Sequence, residues 1–218
     1  MRLINTIEIS PYDFSSKEYE CPNGSSIEFP DEWNQFWKNC ISDKNLGRLE
    51  SISKGSYLVD IRTINDDELS EILKSELTDV ELLDYEEQVA GISGGIVLEE
   101  NNTIYIAPGC CGDIGDIKEW ENIFYSEFNK WNQLWIGHPW VYYKKMNGFI
   151  EFSNYTESSP EDLKDIEILV RVSELQLQTE LKKVREHQYE FEFRIRKTLE
   201  KMGIVNAARI SKLMTGDA

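Results

Sequence analysis

Apolar residues recur with two different periods along the chain, and each period indicates a type of element. The apolar residues within 3–9, which end before Pro11, predict a strand. After Pro30, aromatic residues at steps of three and one within 33–40 give a short helix one apolar face. The run SYLVDI at 56–61 has the composition of a second strand.

Residues 66–87 have a regular amphipathic pattern. Their apolar residues recur at helical spacing, and their acidic residues lie on the opposite face. We therefore predict one helix from Asp66 to Glu87 with its carboxylates in solvent. The apolar stripe consists of Leu69, Ile72, Leu73, Leu77, Val80 and Leu83.

The centre of the chain has the turn signals of antiparallel strands. Residues 94–98 and 103–107 are apolar segments joined by a short polar stretch, which predicts a hairpin. The pair at 147–148, Asn-Gly, predicts a second, tight hairpin before the apolar segment 149–152.

Two further signals lie between these hairpins. Asp116 and Glu119 have the spacing of a capping box for a helix that runs to about Phe128. Gly137-His138-Pro139 then predicts a tight turn between the segments 135–136 and 140–143.

The C-terminal part of the chain predicts a long helix. Residues 159–162 have the composition of a helix N-terminus, Gly203 ends the pattern, and a short helix follows at 205–214. Alternation within 168–172 and 189–196 fits strands equally well, so both possibilities stay open there.

These patterns predict an α+β fold, in which a mostly antiparallel sheet packed by helices occupies residues 1–157 and a helical extension occupies 158–218. A helix of about 40 residues would extend roughly 60 Å, farther than a compact domain of this size. We therefore expect a homodimer in which a second copy covers the apolar stripe, with Gln188 and Thr198 as polar interruptions. The residues assigned to oligomerisation are Leu177, Leu181, Val184, Phe191 and Ile195.

Charge is distributed unevenly along the 218 residues, whose formal net charge is -17. Residues 1–165 contain 13 Lys and Arg against 32 Asp and Glu, whereas residues 166–218 contain 10 against 8. Such a negative field repels nucleic acid and membrane surfaces and attracts a basic protein partner, although it also serves solubility alone. The carboxylates predicted to bind the partner are Asp67, Glu68, Glu71, Glu76 and Glu81.

Hydropathy and the N-terminus bear on location. The longest charge-free run, residues 131–143, has 13 residues, fewer than the roughly 18 apolar residues of a membrane helix. The N-terminal residues do not show the basic segment followed by an apolar segment that is typical of a secretory signal. We therefore expect a cytoplasmic protein with no membrane contact.

The four cysteines and two histidines limit the available chemistry. No cysteines have C-x-x-C spacing, so we expect no metal and no cofactor. A hydrolase or transferase would need Cys110 or Cys111 as nucleophile, His138 as base, and Asp113 or Asp116. The adjacent thiols could also form a strained disulfide, but a reducing compartment favours free thiols.

The glycine-rich run at 109–115 precedes a helix, as phosphate-binding loops do. Asp113 and Asp116 would repel a phosphate, so we interpret the run as a structural turn, with a metal between the two carboxylates as the alternative. The surrounding tryptophans and tyrosines are typical of a core rather than of a stacking platform.

Three central motifs carry a resemblance to known proteins. Pro108-Gly-Cys-Cys-Gly-Asp113, Glu119-Trp120 and Leu134-Trp-Ile-Gly-His-Pro-Trp140 resemble a group of bacterial proteins with this signature. That group in turn resembles, more distantly, the SUKH-type immunity proteins of bacterial toxin systems. The likeness covers about residues 90–155 and implies an α+β fold without implying a reaction. The leading segment and the long terminal helix depart from the SUKH pattern.

Three hypotheses about function follow. The first is a non-enzymatic, acidic immunity or inhibitor protein that captures a basic toxin or another basic protein. The second is the hydrolase or transferase based on the cysteines and His138. The third is a scaffold that oligomerises through its terminal helix. The negative body and the absence of a complete catalytic motif favour the first.

Overall fold

The computed structural model describes residues 1–159, 162 and 166–217, and it confirms the α+β fold. Its strands are β1 (Arg2–Glu8), β2 (Leu58–Asp60), β3 (Gly94–Glu100), β4 (Thr103–Ile106), β5 (Trp131–Leu134), β6 (Val141–Met146), β7 (Phe149–Ser153) and β8 (Ile168–Ser173). Its helices are α1 (Pro11–Phe14), α2 (Pro30–Ser42), α3 (Asp66–Glu76), α4 (Tyr85–Gln88), α5 (Ile117–Asn122), α6 (Glu174–Lys201) and α7 (Ala207–Met214).

The strands form two four-stranded antiparallel sheets with the orders β2-β1-β3-β4 and β5-β6-β7-β8. Two short 3-10 helices, Ile114–Asp116 and Ile123–Tyr125, flank α5. Within the described residues, no helix combines the length and the apolar composition needed to cross a membrane.

The chain divides into two compact units that interleave in sequence. The first unit comprises Met1–Asn5 and Ser93–Tyr189, and the second comprises Thr6–Ile92 and the residues from Glu190 onward. The predicted division at residue 157 does not coincide with either unit. The reason is that β8 and the first half of α6 belong with the central strands, whereas the second half of α6 and α7 belong with the N-terminal elements.

The sheet β5–β8 of the first unit is a meander with apolar residues in register. Tyr143 lies opposite Phe152, and Ile150 lies opposite Val172. The β6–β7 turn is Asn147-Gly148, with φ values of 49° and 81°. Two consecutive left-handed residues match the twist of a two-residue hairpin, which confirms the predicted turn.

One hydrophobic core fills the first unit. The rings of Trp120 on α5 and Phe152 on β7 lie 5.7 Å apart, and both side chains are fully buried. The first half of α6 adds Leu177, Leu181 and Val184 to this core. Strands and helices thus bury their apolar residues in one core, as the packed layers of a domain do.

The second unit has a core of its own around Trp37. This side chain is fully buried on α2, and its indole N–H donates to the Ile9 carbonyl at 2.7 Å. Ile7 and Val59, which are opposite each other in β1 and β2, are also fully buried. The buried indole thus keeps a hydrogen-bond partner while its ring fills the core.

The C-terminal region resolves the open question about helix and strand. Residues 168–173 are the strand β8, whereas residues 189–196 lie in α6. Gly203, with a φ of 77°, follows α6 as predicted, and the Ile204 N–H donates back to the Leu199 carbonyl at 3.0 Å. The predicted helix N-terminus at 159–162 includes Pro160 and Glu161, which lie outside the described residues.

Candidate functional site

The first candidate site is the row of carboxylates on α3, which begins with a capping box. The Asn65 side chain accepts hydrogen bonds from the N–H groups of Asp67 and Glu68, each at 3.0 Å. In return, Glu68 Oε2 accepts from the Asn65 N–H at 2.9 Å. Glu68 was predicted to bind the partner, but it is only 5% exposed because its carboxylate completes the helix cap, so it offers little surface for contact.

The other predicted carboxylates differ in how freely they face solvent. Asp67, Glu76 and Glu81 are exposed, whereas Glu71 is half-buried and its Oε1 accepts from Lys74 Nζ at 2.6 Å. Partial desolvation and the nearby charge of Asp13 raise the pKa of Glu76, although its side chain keeps an exposed surface. Asp67, Glu76 and Glu81 are thus the predicted residues that a partner can reach.

The single helix predicted for 66–87 is wrong, because α3 ends at Glu76 and the short helix α4 begins only at Tyr85. Turns follow, in which the Val80 N–H donates to the Leu77 carbonyl at 3.2 Å and the Asp84 N–H donates to the Glu81 carbonyl at 2.8 Å. We call residues 77–88 the acidic segment. Its exposed carboxylates are Asp79, Glu81, Asp84, Glu86 and Glu87.

An apolar side chain stands among these carboxylates. Leu83 is 98% exposed and its neighbour Leu82 is 41% exposed, although the helical pattern predicted Leu83 to be buried. Glu86 Oε1 lies 3.4 Å from Arg209 Nε. Within the described part of the chain, no ion pair joins Asp79, Glu81, Asp84 or Glu87 to a cation.

The second candidate site contains the cysteines and His138. We call residues 109–113 and 136–140 the paired turns, because backbone hydrogen bonds join them. The N–H of Cys110 donates to the His138 carbonyl at 3.2 Å, and the N–H of His138 donates back to the Cys110 carbonyl at 2.9 Å. The Gly109 N–H adds a bond to the Ile136 carbonyl at 2.7 Å. The structure therefore brings the two predicted motifs together.

Glycine is required where the paired turns touch. A Cβ on Gly109 would lie 2.4 Å from the His138 oxygen, and a Cβ on Gly137 would lie 2.3 Å from the Cys110 oxygen. Gly137 also has a φ of 91°, which side chains disfavour. The glycines of both motifs thus allow two backbone segments to approach, which confirms the prediction of a structural turn.

The Cys110 thiol and the His138 ring each have a neighbour at this site. The Cys110 thiol donates to the His138 carbonyl oxygen at 3.4 Å. The His138 ring packs edge-on against Trp140 with centroids 5.4 Å apart. The charge of Cys110 and its hydrogen bond raise the pKa of the Cys111 thiol, whereas a catalytic cysteine needs a lowered pKa.

Asp113 and Asp116 form a cap for the first 3-10 helix. Asp113 Oδ1 accepts from the Gly115 N–H at 2.6 Å, and Asp116 Oδ2 accepts from the Asp113 N–H at 3.0 Å. This box replaces the one predicted between Asp116 and Glu119. Burial, together with the charges of Asp113 and Glu119, raises the pKa of Asp116 to about 6. Across residues 1–159, 162 and 166–217, no group of three or more His, Cys, Asp and Glu residues is arranged to hold a metal ion.

The residues assigned to oligomerisation are not surface residues. Each of the five has an exposed fraction of 4% or less, and Gln188 is buried with its Oε1 accepting from Asn5 Nδ2 at 3.1 Å. The helix has 28 residues, or about 42 Å at 1.5 Å per residue, not about 40 residues. The stripe consequently needs no second chain, and the homodimer stays a prediction without this contact surface. The buried residues are Leu177, Leu181, Val184, Phe191 and Ile195.

A groove of about 1050 Å³ in the first unit was not expected from the sequence. Leu175, 73% exposed, Tyr125, 88% exposed, and Tyr189, 54% exposed, contribute apolar surface to it. On its wall, Arg185 Nε and Nη2 donate to the Glu121 carboxylate at 2.8 and 2.6 Å. Leu175 and Tyr189 do not belong to the apolar stripe that was predicted for the terminal helix. Their position outside that stripe is the sequence signal that could have indicated exposed apolar residues on this helix.

Comparison with known proteins gives no match, whether the chain is compared with family models, with curated proteins or with solved structures.

Proposed function

We propose that this chain is a non-enzymatic acidic binding protein, of the immunity or inhibitor type, that captures a basic protein partner through the acidic segment. The observation that carries the proposal is Leu83, almost fully exposed and flanked by exposed carboxylates. A single exposed leucine is ordinary on a protein surface. Here the exposed leucine lies in a segment with five exposed carboxylates, and this combination matches an apolar pocket framed by Lys and Arg.

Electrostatics supports the same surface. Residues 6–92 contain 20 Asp and Glu against 7 Lys and Arg. Because Asp79, Glu81, Asp84 and Glu87 have no cation of their own among the described residues, their field extends into solvent. Complementary fields mainly raise the rate of association, while a buried apolar anchor slows dissociation.

The central motifs resemble a group of bacterial proteins that in turn resembles, more distantly, SUKH-type immunity proteins, and this supports the choice of a toxin as the partner. In this proposal the paired turns keep the fold of the first unit, and the acidic segment of the second unit makes the contact. No specific observation favours the alternative hydrolase, since the neighbouring Cys110 raises the pKa of the Cys111 thiol, whereas a cysteine nucleophile needs a lowered pKa.

Affinity capture from cells that carry the gene, followed by measurement of binding rates, tests the proposal. The test variant carries Glu81→Lys, Asp84→Lys and Glu87→Lys. A matched control carries Glu127→Lys, Glu157→Lys and Glu186→Lys, three exposed carboxylates of the first unit, so that both variants have the same net charge.

We expect wild type and control to retain one basic protein that the test variant loses. At low salt the test variant should associate about tenfold more slowly or worse, and high salt should reduce the difference. Leu83→Ser should accelerate dissociation about 30-fold, which corresponds to about 2 kcal/mol of lost apolar burial. Equal binding by wild type and test variant, or equal loss in the control, would contradict the proposal.

A further inference from the structure

Two adjacent exposed thiols, Cys110 and Cys111, take no part in the proposed function. They lie in the paired turns and are neighbours in the chain, so a trans peptide holds their Cα atoms about 3.8 Å apart. Cys111 has a φ of 66°, an unusual conformation for a residue with a side chain. The structure thus presents a pair of thiols to solvent rather than one.

The backbone on both sides of the pair is fixed. Cys110 exchanges two hydrogen bonds with His138, as described above, and the Gly112 carbonyl accepts from the Gly94 N–H at 3.1 Å. A Cβ on Gly112 would lie 2.7 Å from the Ile136 oxygen, so this peptide is closely packed as well. The separation of the two Cα atoms is therefore fixed, and rotation of the two exposed side chains is enough for both thiols to bind one centre.

Geometry favours a bridged pair over a direct disulfide. Adjacent Cα atoms across a trans peptide are about 3.8 Å apart, whereas disulfides usually join Cα atoms about 4.4–6.8 Å apart. A direct sulfur–sulfur bond between neighbours is therefore strained and easily reduced. A single atom placed between the two sulfurs enlarges the ring and relieves that strain.

We infer that Cys110 and Cys111 form a vicinal dithiol site that binds one trivalent arsenic centre per chain. Soft thiolate ligands prefer soft centres, and pyramidal arsenic holds two sulfurs close together. With an organoarsenic oxide, two As–S bonds form while the As–O bonds break, and the oxygen leaves as water with both thiol protons. Arsenic stays trivalent, so no oxidant or reductant is needed. Since both protons leave in the water, the raised pKa of Cys111 is no obstacle.

Titration of the reduced full-length protein with phenylarsine oxide, followed by intact-protein mass spectrometry, tests this inference. We expect one phenylarsenic group per chain, removed by excess 1,2-dithiol and not by the same concentration of a monothiol. Cys110→Ser and Cys111→Ser should each weaken binding about 100-fold or more, because the second bond of a chelate benefits from high effective concentration. Cys21→Ser and Cys40→Ser serve as controls and should bind as wild type does.

A second measurement on wild type avoids any effect of substitution on folding. After treatment with iodoacetamide, peptide mapping should find Cys110 and Cys111 protected by phenylarsine oxide and the exposed Cys21 alkylated. Failure of wild type to bind, binding of equal strength in either serine variant, or protection confined to Cys21 or Cys40 would overturn the inference.

Discussion

The acidic segment and the paired turns were both candidate sites in the sequence, but they differ in whether their groups bind other parts of the chain or face solvent. In the paired turns, main-chain groups of Cys110 and His138 bind each other, and glycines lie where a Cβ would strike the facing backbone. In the acidic segment, the carboxylates and Leu83 face solvent. A glycine- and cysteine-rich motif can therefore reflect close backbone packing, whereas a surface that is open to a partner has side chains exposed to solvent.

The same distinction divides the acidic residues themselves. Glu68 and Glu81 have identical chemistry, but Glu68 is three residues from the helix-capping Asn65 and accepts its N–H, whereas Glu81 lies beyond the end of α3. Position relative to a helix end therefore decides whether a carboxylate stabilises the fold or faces solvent.

The largest expected effect separates two leucines of the predicted stripe. Leu73→Ala should lower the free energy of unfolding by about 3 kcal/mol, because Leu73 is fully buried. Leu83→Ala should leave it unchanged, because Leu83 is already in solvent in the folded chain. Denaturant unfolding measures both. Similar losses for the two variants would mean that Leu83 is buried and would remove it from the proposed surface.

The paired turns are expected to be nearly as sensitive to an added methyl group. Gly109→Ala should cost about 2–3 kcal/mol, because its Cβ would lie 2.4 Å from a backbone oxygen. Gly148→Ala is the control: its φ is 81°, but a Cβ there meets no atom of the described residues within 4 Å, so only about 1 kcal/mol is expected. Chemical denaturation gives both values, and equal costs would contradict close backbone packing as the role of Gly109.

Replacement of the two glutamates is expected to separate stability from binding. Glu68→Ala should lower the free energy of unfolding by about 1 kcal/mol through loss of the capping box, with little effect on partner association. Glu81→Ala should do the reverse and slow association with no measurable change in stability. Thermal unfolding and binding rates on the same two variants decide, and slower association in Glu68→Ala alone would reverse the assignment.

The smallest expected effect is a pH dependence in the first unit. The pKa of Asp116 is raised from 3.8 to about 6 in the fold, so the folded chain holds its proton more tightly than the unfolded chain. The resulting stability is complete below about pH 4 and is lost as the pH rises through 6. Because Asp116 is half-exposed, screening limits the effect to about 1 kcal/mol.

Asp116→Asn removes this titration and keeps an oxygen that can accept the Asp113 N–H. Relative to this variant, wild type should lose stability between pH 4 and pH 6, as measured by urea unfolding at each pH. The same pH dependence in both proteins would show that another group titrates.

Local patterns predicted most of the fold. The Asn147-Gly148 hairpin, the helix after Pro30 and the end of the terminal helix at Gly203 follow from turn and cap chemistry that acts over a few residues. The apolar periodicity of 66–87 continues to Leu83, and it therefore predicted a helix longer than α3, which ends at Glu76. Leu83 is exposed in the structure, so its part of the apolar stripe is not packed against a core. Periodicity indicates which face of a helix would be buried, but tertiary packing decides whether that helix forms and is buried.

The site was less predictable for a related reason. The sequence correctly placed glycines and turns around Cys110 and His138, but it could not show that the main chains of the two motifs bind each other across 28 positions. It likewise could not show that Leu177 and Leu181 face their own core, so a second chain was inferred to cover them. Both the pairing of the two motifs and the burial of these leucines depend on contacts between residues far apart in the chain, and such contacts produce no pattern in the local sequence.

Hydrogen–deuterium exchange of the chain, alone and with the basic protein that it captures, tests whether the acidic segment is the contact surface. We expect the partner to slow exchange in residues 77–88 and at the C-terminal end of α3, and to leave exchange in residues 109–113 and 136–140 unchanged. Protection of the paired turns together with unaltered exchange in the acidic segment would contradict it.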